Sequence, residues 1–223
     1  DPLRLADCLG RRARREQDPA QAGAALRERA LLLEEQAGEI AAGHGAWTEL
    51  LQSAAPLELR REASARIAKL LERESRWPEL REHLERALQR DEAADPVSAH
   101  ATAAGICRRH LRDPIAAVAH LEAALERAPG EGPLWAQLSE LFAAAGREAE
   151  LVRSLEGEIA ADPDAEREVA LRCRAAELYA TALLDPERAC RHAERALALA
   201  PGHPWASEFL LQHWGRCGEP ALV

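Results

Sequence analysis

At 223 residues with a net charge of −9, the chain is long enough for one large domain or for an array of small units. Both signs of charge are scattered, with no basic stripe, so the electrostatic footprint of a nucleic-acid binder is missing. Aromatic residues make up only 4%, while Ala is abundant and β-branched residues are few, a composition that predicts a nearly all-helical chain.

Asp1-Pro2 opens the first helix, because an Asp side chain can cap the free N–H groups and Pro suits the first helical position. The same start recurs at Asp113-Pro114 and Asp185-Pro186. From Asp18-Pro19, the residues Ala22, Leu26, Ala30, Leu33, Ala37 and Ile40 keep helical spacing, and the helix is expected to end at Gly43-His44-Gly45. A short helix from Trp47 to about Ser53 comes after it, stopped before Pro56. Leu57 to Glu74 is the next, and Trp77-Pro78 starts its partner.

The second half is more regular. Helices are expected over Asp95 to Leu111, Pro114 to Ala128 and Pro133 to Ala145, then over Arg147 to Ala160. Pro163 to Leu183 and Pro186 to Ala200 form another pair. Pro204 to Trp214 comes last, before a helix begun at Gly218. Leu80, Leu151 and Leu222 recur at one spacing, so two hairpins make a higher-order repeat. With no Met in the sequence and both ends falling mid-hairpin, the chain reads as a piece of a longer protein.

Ser98 to Leu155 carries the clearest pattern: Ala101 and Gly105, then Ala117, Leu121, Ala124 and Pro129, then Trp135, Leu138, Phe142, Gly146, Leu151 and Leu155. This resembles the tetratricopeptide (TPR) repeat, with a large and a small residue on a first helix and small, large, small on a second. The resemblance extends to Ala170–Trp214 through Ala189, Ala193, Ala196 and Pro201, and is weakest over Asp18–Arg90. Short amphipathic helix pairs cannot bury their apolar faces alone and must stack. The expected fold is all-α, a right-handed α-α superhelix of about five full hairpins with half-hairpins at both ends. Residues 1–223 form a single array, divergent over 1–92 and clearer over 93–223.

The resemblance implies a bacterial protein-binding scaffold whose first helices line a concave groove. On that basis the groove-facing candidates are Thr102, Arg109, His110, Glu140, Arg174, Thr181 and His213, and the partner is a peptide or protein surface. Clamping of a C-terminal carboxylate is not expected, because Ile106 and Leu178 stand where that subtype has Asn. Two alternatives are a regulatory arm of a larger signalling enzyme or transcription regulator, and a spacer that self-associates end to end through its cut hairpin ends. Trp135 and Trp205 are expected in the core, and Trp47 and Trp77 against inter-helix loops. Trp214 is expected under the missing helix or in the groove.

Nothing in the pattern points to chemistry. There is no nucleophile elbow and no phosphate-binding Gly-rich loop. Cys107 and His110 lie one turn apart without a second ligand pair, so no metal or other cofactor is expected. Catalysis is not expected either. Cys8, Cys107, Cys173, Cys190 and Cys217 form no C-x-x-C pair and are read as unpaired. With no visible signal peptide, that favours the cytoplasm and leaves the periplasm open. No stretch is long and apolar enough to cross a membrane.

Overall fold

The computed structural model describes residues 1–36 and 39–213. The described residues form twelve α-helices and no strand: α1 (Pro2–Arg15), α2 (Pro19–Leu31), α3 (Ile40–Gln52), α4 (Leu57–Arg73), α5 (Trp77–Gln89), α6 (Pro96–Ile106), α7 (Pro114–Arg127), α8 (Gly132–Ala144), α9 (Glu148–Ala160), α10 (Ala165–Thr181), α11 (Pro186–Leu199) and α12 (Pro204–His213). An Asp stands immediately before six of them, Asp113 before α7 included. The carboxylates of Asp1, Asp18, Asp95, Asp164 and Asp185 accept from backbone N–H groups of the first turn, where an Asp cap contributes about 1 kcal/mol. Helix ends are closed by left-handed residues such as Arg112 and Gly146.

The chain divides into two compact units, Asp1–Asp113 and Pro114 onward. Within each, every helix packs on its neighbours in sequence, α1 through α6 in the first and α7 through α12 in the second. Short connections make successive helices antiparallel neighbours. The division at 92/93 expected above concerns the clarity of the repeat rather than compactness.

The first unit departs most from its sequence reading. The helix beginning at Pro19 runs through Leu31 and then widens into a π-helical turn over Leu32–Gln36. A new helix, α3, starts at Ile40 and runs straight through Gly43-His44-Gly45. The glycines therefore lie inside a helix rather than ending one. Gly43 supplies contact space: a β-carbon there would meet the Glu34 backbone and Cβ at 3.3–3.4 Å.

Trp47 is consequently in mid-helix, not at a helix start, and it is fully buried. Its indole N–H donates to Glu34 at 2.9 Å, so Glu34 is a core-facing acceptor and not an ordinary surface carboxylate. The buried N–H requires such a partner, since leaving it unmade costs about 1–3 kcal/mol. Leu50, Leu70 and Leu80 complete this core. Glu92 is buried too, with its carboxylate 2.8 Å from Arg60.

In the second unit, Ala117, Leu121 and Ala124 of α7 are buried, as are Ala189, Ala193 and Ala196 of α11. These small side chains let helix axes approach closely. Trp135 and Trp205 are only half-buried, against the expectation of core positions. Trp135 lies flat on Gly157 of α9, where a β-carbon would come within 2.5 Å of its ring. The expected helix from Gly218, together with Trp214 and Cys217, lies outside the described residues. No helix among the described residues is long and apolar enough to cross a membrane.

Candidate functional site

The first helices of the first unit enclose a groove. α4 and α6 flank it, and buried Leu80, Leu84 and Ala87 of α5 form its floor. Its volume is about 310 Å³. Small residues, Ala65, Ala68 and Ala99, keep its walls low, while Lys69 and Glu72 rise from α4 and Ser98 and Thr102 from α6. Each pair is spaced three or four residues apart, one helical turn, so both members share a face. Lys69, the single lysine, is exposed and makes no ion pair with any described residue. The groove thus presents a free cation, carboxylates and hydroxyls over an apolar floor.

Of the seven candidate residues, Thr102 is the one that lines this groove. Arg109 and His110 are exposed and are not among the residues that line it. The end of α6 unwinds into a π-helical turn over Cys107–Leu111, with the Arg112 N–H donating to the Cys107 carbonyl five residues back. Arg109 folds back to donate to the Gly105 carbonyl at 3.4 Å. His110 stacks on Trp77, ring centroids 3.8 Å apart and nearly parallel.

The other four lie in the second unit. Glu140 on α8 and Arg174 on α10 are exposed. Thr181 is exposed and donates to the Glu177 carbonyl. His213 closes α12, its ring stacked on Phe209 at 4.2 Å. None of these four lines the α4–α6 groove.

One polar cluster escaped the sequence reading. On α9, α10 and α11, the Tyr179 hydroxyl donates to Glu156 at 2.7 Å and accepts from Arg188 at 3.1 Å. His192 stands 3.5 Å from the same carboxylate. Burial lowers the His192 pKa and raises that of Tyr179. Arg172 and Arg191 join Glu156, Arg188 and His192 around a cavity of about 270 Å³. The cluster was not legible because its members come from three helices with no shared spacing.

Burial pushes the Cys107 and Cys173 thiols up, away from the nucleophilic thiolate. Cys8, Cys107 and Cys173 are free. Among the described residues, no three His, Cys, Asp or Glu side chains converge as metal ligands.

The buried small-large-small positions of α7 and the buried alanines of α11 recur on second helices, each packed against the helix before or after it. In fold, the chain is a TPR-like array of helical hairpins. Among solved structures it is similar to YrrB, described as a TPR protein with an unusual peptide-binding site, at 17% identity over 91% of this chain and 97% of that one, with a TM-score of 0.48. It is also similar to the C-terminal part of a TPR repeat-containing protein from Cytophaga hutchinsonii, at 12% identity over 84% and 73%, TM-score 0.49. PilF of Pseudomonas aeruginosa matches at 14% identity over 95% and 99%, TM-score 0.45. No protein-family model and no curated protein matches the sequence.

Proposed function

We propose that the chain is a bacterial protein-interaction scaffold without catalysis of its own, and that it holds an extended peptide segment or protein surface along its first helices. The observation that carries this reading is the α4–α6 groove, where unpaired Lys69 and the Thr102 hydroxyl stand over an apolar floor. An extended peptide needs such a place: apolar contact for a side chain, and polar groups to answer its backbone and charges. Arg174, Glu140 and Thr181 are further exposed contact candidates on the first helices of the second unit.

A photo-crosslinking amino acid placed separately at Lys69 and at Thr102, in the full chain and in its native host, tests the proposal. Both positions should capture the same protein. Ala68→Trp, which fills the groove, should abolish both captures while leaving the helical circular dichroism unchanged. Capture of unrelated proteins at the two positions, or capture insensitive to A68W, would overturn it.

A further inference from the structure

Each unit also has a groove on its second-helix side, and the two differ in a way that points to a partner. In the first unit, α1 and α3 flank a cavity floored by Ala22 and Leu26 of α2. Its rim charges are satisfied internally: Glu49 bonds Arg29 at 2.5 Å and stands 4.0 Å from Arg14. In the second unit, α7 and α9 flank a cavity of about 460 Å³ floored by Trp135, Leu138 and Phe142 of α8. Here the floor is aromatic and the two rims are unequal. On the α9 rim, Glu150 is shared between Arg147 at 2.6 Å and Arg153 at 3.9 Å. On the α7 rim, Glu122 and Glu126 are exposed, one turn apart, and neither has a partner among the described residues.

We infer that the α7–α9 groove is a second docking surface, one that takes a basic amphipathic helix from a protein partner. The apolar face of such a helix would cover Trp135 above the already buried Leu138 and Phe142, and its Lys or Arg side chains would meet Glu122 and Glu126. Three features favour this occupant. Trp135 is already held rigidly, its indole N–H donating to the Pro129 carbonyl at 2.8 Å and its ring lying against Gly157. It therefore offers a flat aromatic face at little entropic cost, as binding anchors do. The groove is open and bounded by two helices, the shape into which an amphipathic helix lays its apolar stripe. The unpaired carboxylates lie along one rim, so charge complementarity selects a basic segment and fixes its side. This surface is distinct from the α4–α6 groove, and either can stand without the other.

The test monitors the indole N–H resonance of Trp135 in the full chain, assigned through Trp135→Phe. The probe is a synthetic leucine–lysine peptide patterned at the helical period. The resonance should shift saturably with this peptide, and far less with a leucine–glutamate or serine–lysine counterpart. The double variant E122Q/E126Q should weaken binding about threefold to tenfold, as expected for losing two exposed charge pairs. The control E187Q/E194Q, at exposed positions elsewhere, should bind as the unaltered chain does. The inference is overturned if the acidic peptide binds equally well, or if the resonance does not move. It is equally overturned if E122Q/E126Q binds unchanged, or if the chain alone shifts the resonance on concentration, which would make a second copy the occupant.

Discussion

Burial lowers the pKa of two histidines, and one of them bonds Ser64, which lines the first-helix groove. His83 on α5 is buried, and its Nε2–H donates to the Ser64 carbonyl at 2.9 Å, with the Ser64 hydroxyl 3.1 Å away. Burial lowers its pKa, the backbone hydrogen bond opposes this, and Arg86 and His44 add to the lowering. Between the depressed folded value and the unfolded value of 6.5, the unfolded chain binds more protons than the folded one. Stability is then fully present above pH 6.5 and is lost as pH falls toward the folded pKa. His192, lowered by burial as well, acts in the same direction. Urea midpoints should fall as pH drops below about 6.5, and His83→Gln should flatten that slope while keeping an amide donor for the Ser64 carbonyl. An unchanged slope in the variant would show that His83 is not the titrating group.

At the scale of elements, one distinction separates the legible features from the rest. Helix starts could be read because an Asp followed by Pro acts locally, through its own side chain and fixed φ. The small-large-small run of α7 and the alanines of α11 could be read because burial repeats with the helical period. The Gly43-His44-Gly45 run misled because glycine breaks a helix only if nothing else holds it. Here α3 packs on both α2 and α4, and tertiary packing outweighs a cost of about 1 kcal/mol per glycine. The π-helical turns at Leu32–Gln36 and Cys107–Leu111 left no trace in spacing. Of the candidate residues on α6 and its π-helical turn, Thr102 lines the α4–α6 groove and Arg109 and His110 do not.

Gly157 is the sharpest element-scale case. It sits on an otherwise ordinary α9, and helix propensity alone would favour Ala there. The Trp135 ring occupies the space a β-carbon would need. Gly157→Ala should therefore destabilise the second unit by about 1–3 kcal/mol through overpacking, despite the gain in propensity. Its Trp135 indole should also lose the bond to the Pro129 carbonyl, seen as a shift of that N–H resonance. A stabilised variant with an unmoved resonance would show that the ring has other room.

For the whole molecule, the question is how far a disturbance travels. Stacked helical units derive stability from their own cores and from contacts with neighbours alone. The two compact units each satisfy this internally, with Leu70 among the fully buried side chains of the first and Leu155 among those of the second. Leu70→Ala removes a side chain only 1% exposed and should cost about 2–5 kcal/mol. Hydrogen exchange read peptide by peptide decides where that loss appears. Amides of α4 and α5 should exchange faster in proportion to it, while those of α10 and α11 should keep their protection. That outcome would also explain how a first unit with irregular, π-wound helices can coexist in one chain with a regular second unit: each sequence need satisfy only its own core. Uniform acceleration along all the described helices would instead show a single cooperative fold.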